Sequence, residues 1–275
     1  MPPMKLHFLF LICLIYVHSA WSQSHDHSGD VRLDYSTGLE GAKEYKSLEE
    51  ALKEPQKVLR LNINIGSADK IPAELFKLNK LQELILVGNK INSLPSEISI
   101  FKELQSFTLL TDTSFHYLPK EIGDLKKIRI LILRGNLKEL PKEIGMLEEL
   151  QKLDLEKNML TFLPSEIGNL KNLKELILYF NKLHTLPESL GGLSNLHILK
   201  VSNNELTRLP DSIGQLSMLQ HLEAGHNRIA SIPVSQLCKL KYFESLWIMR
   251  GNNSIPQEQI KSLSQCLPKL FIDNF

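Results

Sequence analysis

His221, Glu223 and His226 are the residues whose types and spacing come nearest to metal chemistry. His221 and Glu223 are two apart, which on an extended strand turns both to one face, and His226 follows just beyond. Two imidazoles and a carboxylate suit zinc. The plainer reading is a set of unrelated polar side chains on a solvent-facing strand, and nothing else in the sequence supports a metal. His25, Asp26 and His27 form a second cluster of this kind. They sit in a polar stretch with Gly29, Gly38 and Gly41, where a solvated leader accounts for them better.

Nucleophile and phosphate chemistry have no footing. The sequence contains no glycine-rich phosphate loop, no HExxH and no GxSxG. Its carboxylates recur at one place in each of several similar stretches, which a helix start explains better than acid and base roles. No catalytic residue, no cofactor and no enzymatic activity are expected. A net charge of +1 over 275 residues gives no general pull toward nucleic acid or an anionic membrane. Asn252-Asn253-Ser254 matches a glycosylation sequon, which matters only where the host glycosylates.

Recognition chemistry is better represented, and a repeat decides where its residues stand. Prolines preceded by Leu or Ile occur at 72, 95, 119, 141, 164, 187, 210, 233 and 256, with successive spacings of 23, 24, 22, 23, 23, 23, 23 and 23. The cleanest copy, PSEIGNLKNLKELILYFNKLHTLP from Pro164 to Pro187, reads PxEIGxLxxLxxLxLxxNxLxxLP. From Leu173 through Leu176 to Leu178 the spacing passes from three to two, as where a turn straightens into a short strand. A strand this short must pair its backbone with the strand of the next copy, so a parallel sheet is expected. An Asn at the end of each strand, at 89, 136, 158, 181, 204 and 227, carries donors and an acceptor for the turning backbone; Asp112 replaces it in the third copy, Gly66 in the first and Gly251 in the last. Pro at a first turn, an acidic neighbour, and single glycines at 123, 145, 168, 191 and 214 predict short helical or 3₁₀ pieces on the opposite side.

The residues between the strand leucines then face solvent. The central column is Asn62, Ile85, Thr108, Ile132, Asp154, Ile177, Lys200, Glu223 and Trp247; the next holds Arg134, Glu156, Tyr179 and Met249, and a flanking column ends with Phe180, Asn203, His226 and Arg250. Aromatic residues and Arg dominate interface anchors. The candidate partner-binding set is therefore Ile132, Arg134, Asp154, Glu156, Ile177, Tyr179, Phe180, Lys200, Glu223, Trp247, Met249 and Arg250. Strand propensity alone is the plainer account of the isolated Ile positions.

The chain ends carry other signals. Residues 1–22 read as a secretory signal: Lys5, an apolar run of 12 from Leu6 to Val17, and Ala20-Trp21-Ser22 for cleavage. Twelve residues are short of a bilayer span, so no stable membrane span is expected after cleavage. Residues 23–46 are expected to be a flexible polar leader and 47–57 a capping helix opened by Ser47-Leu48-Glu49-Glu50, with Ser47 and Glu50 forming a capping box. The repeats run from 58 to 256, about nine of them, and 257–275 form a C-terminal cap. Export leaves Cys238 and Cys266, either as a disulfide or as two buried thiols, with Cys266 at an inward position.

Residues 58–256 resemble the leucine-rich repeat family, in its 23-residue subclass with LPxEIGxLxxLxxLxLxxNxL. The resemblance implies an α/β solenoid: a curved right-handed coil with a parallel sheet on the concave face and short helical or 3₁₀ segments on the convex face. With the export signal and no Cys-rich flanks, the chain is similar to small secreted or surface-exposed bacterial members. It implies a protein or peptide ligand, a host-interaction or adhesion role, and a secreted, periplasmic or cell-surface location, with a monomer favoured. The alternative is an intracellular scaffold or regulator of a signalling enzyme.

Overall fold

A computed structural model describes residues 33, 35, 37–88, 90–112 and 115–273. The chain divides into two compact units, Met1–Asp34 and Tyr35–Phe275, and the architecture below belongs to the second. The expected export signal, the His25-Asp26-His27 cluster and Asn89 lie outside the described residues.

One parallel sheet takes its strands in chain order: β1 (Glu44–Tyr45), β2 (Arg60–Asn64), β3 (Glu83–Gly88), β4 (Ser106–Thr111), β5 (Ile130–Arg134), β6 (Lys152–Asp154), β7 (Glu175–Ile177), β8 (Ile198–Lys200), β9 (His221–Glu223), β10 (Ser245–Trp247) and β11 (Phe271–Ile272). Leu153, Leu176, Leu199 and Leu222 pair in register and are fully buried, so the strand leucines form the spine that their alternation requires. Five-residue 3₁₀ segments follow the prolines, among them Lys142–Met146, Ser165–Asn169 and Glu188–Gly192. These segments meet backbone to backbone. A Cβ at Gly168 would stand 2.1 Å from the Ser189 carbonyl oxygen, and one at Gly145 would stand 2.4 Å from that of Glu166, so only glycine fits. The solenoid predicted from the repeat is the fold observed.

The Asn positions form a ladder of buried amides. Asn181 accepts from the Leu160 N–H at 3.0 Å and donates to the carbonyls of Leu155 at 2.9 Å and Leu178 at 3.1 Å. Asn158, Asn204 and Asn227 repeat this pattern one coil apart. Each side chain thus ties its own turn to the coil before it, where a buried backbone group would otherwise go unpaired.

Several expectations are corrected at the ends and at the irregular copies. Asp112 is exposed where the Asn rungs at 158, 181, 204 and 227 are buried, and Phe115, three residues on, is fully buried. In the ninth copy the rung is not at Gly251 but at Asn253, which accepts from Ile229 N–H at 2.8 Å and donates to the Ala224 carbonyl at 3.0 Å. The leader is ordered before residue 46: β1 pairs with β2, and Tyr45 is buried against the first coil. Ser47 caps α1 (Leu48–Ala51) by accepting from the Glu50 N–H at 3.4 Å, but the Glu50 carboxylate turns to Lys43 at 2.8 Å, leaving the capping box half made. At the other end, α2 (Val234–Leu237) and α3 (Gln257–Cys266) are joined by a disulfide between Cys238 and Cys266, with Cα atoms 5.7 Å apart. Cys266 sits on the exposed side of α3, because Leu263 takes the inward place.

Candidate functional site

Register places the central column as expected. Asn62 pairs with Ile85, Ile85 with Thr108, Thr108 with Ile132, and the line continues through Asp154, Ile177, Lys200 and Glu223 to Trp247. Two residues earlier on each strand runs a further outward column that the sequence reading left out. It holds Arg60, Glu83, Ser106, Ile130, Lys152, Glu175, Ile198, His221, Ser245 and Phe271. The signal for it was present, since alternation puts every second residue on the same face.

The middle of the face is a band of paired charge. Arg134 holds Asp154 at 2.9 Å and Glu156 at 2.8 Å, and both carboxylates are almost fully buried. Burial alone would lower the Arg134 pKa, but the charges of Asp154 and Glu156 raise it above its ordinary value. Lys152 meets Glu175 at 2.7 Å, and Lys200 meets Glu223 at 3.3 Å. Tyr179 donates from its hydroxyl to the same Glu223. The ion pairs join neighbouring coils, while Tyr179 reaches Glu223 across the coil between them, so the charges are spent on each other. Ile177, between them, is 9% exposed.

To either side of this band the face is less polar. Ile85, Val87, Leu110, Ile130 and Ile132 are half-buried on β3 to β5. At the far end Trp247 lies 5.0 Å from Phe271 between ring centres, and the Arg250 guanidinium sits 5.5 Å from the Trp247 ring centre. Phe271 is 50% exposed, and Phe180 47%. Phe180 adopts φ 54°, a left-handed backbone that Lys157, Asn203 and His226 share at the same place in their copies. Met249 is buried and belongs to the core; Asp273 accepts from its N–H at 2.9 Å and from that of Ile248 at 2.7 Å.

The metal candidates do not converge. His221 Nδ1 meets the Ser245 hydroxyl at 2.7 Å, Glu223 is engaged by Lys200 and Tyr179, and His226 lies beyond the strand end. Among the described residues no group of three His, Cys, Asp or Glu side chains is placed to hold a metal ion.

Comparison with known proteins agrees with this architecture. The family described as leucine-rich repeat region matches residues 106–182, and the family described as leucine rich repeat matches residues 171–229. This chain is a leucine-rich repeat protein. No curated protein matches it in sequence. Among solved structures it resembles the plant peptide hormone receptor RGFR1 in complex with RGF2, at 28% identity and TM-score 0.63, over 77% of this chain and 34% of that one. The leucine-rich repeat ectodomain of the membrane receptor kinase GASSHO1/SCHENGEN3 from Arabidopsis thaliana, in complex with CASPARIAN STRIP INTEGRITY FACTOR 2, is 27% identical at TM-score 0.62, over 78% and 26%. The repeat protein therefore spans about a third or less of those receptor chains. The leucine-rich repeat domain of the type III effector XopL shares the fold at 23% identity and TM-score 0.65, over 99% of this chain and 96% of that one. Among the described residues no helix is long and apolar enough to cross a membrane.

Proposed function

We propose that this leucine-rich repeat protein is an exported, non-enzymatic module that binds a protein or peptide on the outer face of its sheet, in host contact or adhesion. The observation that carries the reading is the cluster of half-buried Trp247 with exposed Phe271 and Arg250 on that face, where nothing in the fold requires aromatic side chains. The paired charges of Arg134, Asp154, Glu156, Lys200 and Glu223 give the face its shape and selectivity, while Tyr179, Phe180 and Trp247 supply most of the affinity. Plant receptors of the same fold are bound to a peptide hormone or an integrity factor, which supports a peptide or protein ligand here. The Cys238–Cys266 disulfide supports export, since such bonds persist in oxidising compartments.

Mature protein beginning near Gln23, immobilised and exposed to host surface proteins, is expected to retain a partner. The Tyr179→Ala, Trp247→Ala double variant should lose it. Undiminished retention by that variant would put the binding site elsewhere.

A further inference from the structure

The outer face already carries an occupant from its own chain. Tyr35 stands 140 residues ahead of Glu175, on the segment leading into β1, yet its hydroxyl donates to the Glu175 carboxylate at 3.0 Å. The Lys152 ammonium, held by the same carboxylate at 2.7 Å, lies 5.4 Å from the Tyr35 ring centre. Lys152 and Glu175 are register partners on β6 and β7. Strands whose backbones run about 4.8 Å apart thus present an acceptor and a cation in direct contact. A phenol satisfies both, its hydroxyl on the carboxylate and its ring toward the ammonium. Phenylalanine would keep the ring beside Lys152 but lose the hydrogen bond to Glu175, and an acidic side chain would be repelled by that carboxylate.

The segment lies mostly at the surface, held by a turn from the Ala42 N–H to the Leu39 carbonyl at 3.0 Å and by Arg60 on the Ala42 carbonyl at 3.4 Å. Gly38 and Gly41 take φ of 71° and 92°, and Gly38, Glu40, Gly41 and Lys43 are exposed, with Leu39 the buried exception. β1 and β7 are six strand spacings apart, about 29 Å. The nine residue-to-residue steps from Tyr35 to Glu44 reach at most about 30 Å, so the segment crosses the strands instead of running along one. It can lift from the face without disturbing the leucine spine.

We propose that Lys152 and Glu175 form a subsite for a tyrosine side chain, filled in cis by Tyr35, and that a tyrosine-bearing extended peptide of the partner takes this subsite by displacing the segment. The proposal rests on the outer face being the binding surface. Burial, then the charge of Glu175 and the hydrogen bond to it, push the Tyr35 phenol above the ordinary tyrosine range, so the hydroxyl is available to donate.

The test uses the full mature chain and a fluorescent peptide of residues 35–43 as probe, followed by anisotropy. The Tyr35→Ala chain, its subsite vacated, is expected to bind the probe at least about tenfold tighter than the native chain, whose tethered tyrosine competes at high effective concentration. Replacing the probe's tyrosine by phenylalanine should weaken binding to the Tyr35→Ala chain roughly tenfold to a hundredfold, the range for a hydrogen bond to a charged group. Adding Glu175→Gln to the Tyr35→Ala chain should shrink that discrimination, and adding Lys152→Met should weaken both probes. Thermal melting of each variant confirms that it is folded. Equal binding of the probe by native and Tyr35→Ala chains would overturn the subsite, as would equal affinity for the tyrosine and phenylalanine probes. The two readings separate cleanly: loss of the tyrosine preference with Trp247-dependent capture intact sinks only the subsite.

Discussion

Replacing Asn181 by Ala tests whether the amide ladder holds the coils together. The change leaves the buried Leu160 N–H without its acceptor, while the Leu155 and Leu178 carbonyls keep their bonds from Asn158 and Asn204. An orphaned buried donor costs about 1–3 kcal/mol, and the weakened carbonyls and lost packing add to it, so the expected loss is about 2–4 kcal/mol. With a urea slope of about 2–3 kcal/mol/M, the unfolding midpoint should fall by about 1 M at unchanged slope. Asn181→Asp sharpens the test. It keeps the acceptor for Leu160 but turns a carboxylate toward the carbonyls of Leu155, Leu178 and Tyr179, so at neutral pH it should lose at least as much as Ala. Asn172→Ala, which removes one exposed bond to the Glu148 carbonyl, serves as control and should lose under about 0.5 kcal/mol. A loss at Asn181 no larger than at Asn172 would refute the reasoning.

Other perturbations bear on separate parts of the molecule. Gly168→Ala should lower stability by about 1–3 kcal/mol in a thermal melt, because the new methyl group meets the Ser189 carbonyl and the backbone there cannot give. Reducing the Cys238–Cys266 bond, which spans 28 residues, should remove about 3.5 kcal/mol by the chain-entropy estimate, read as a lower midpoint in dithiothreitol. Phe180→Gly relieves a left-handed backbone that costs a side-chain-bearing residue about 1–2 kcal/mol, partly offset by glycine's freedom. Stability should hold or rise by up to about 1 kcal/mol while partner capture falls; a drop in both would assign Phe180 to the core. Tyr35 has its folded pKa raised above the unfolded value, so its docking contribution is fully present below about pH 10 and is lost as pH rises beyond that. Absorbance titration should show one late phenol in the native chain that is missing in Tyr35→Phe.

Much of this was legible in the residues. The spacing of prolines and leucines specifies the spine and the parallel register, since a one-residue slip would turn every strand leucine to solvent. The central outward column followed from the same alternation. Asn253 was missed because its copy keeps the regular proline spacing of 23 while placing two extra residues between Ile248 and the rung, and counting along a period does not show such a shift inside a copy. The third copy is longer by one residue, and there the fully buried side chain is Phe115, three residues past Asp112. The charge pairs of Arg134 and Lys152 were hidden for a different reason: their partners are 20 to 23 positions away, visible only once adjacent coils are aligned. Tyr35 carried no signal at all, for its partner is 140 positions distant and outside any period.

Asp273 meets the Ile248 and Met249 N–H groups with a carboxylate, which only accepts, where the rungs at Asn158, Asn181, Asn204, Asn227 and Asn253 are amides that also give. An interior coil could be duplicated or excised as a unit, and the flanking amides would find the same neighbours. The coil that meets Asp273 has no such freedom, because a carboxylate offers no donor to the carbonyls that an amide would hold. Length is therefore free to drift among the Asn-bearing coils, while the coil capped by Asp273 stays tied to one job.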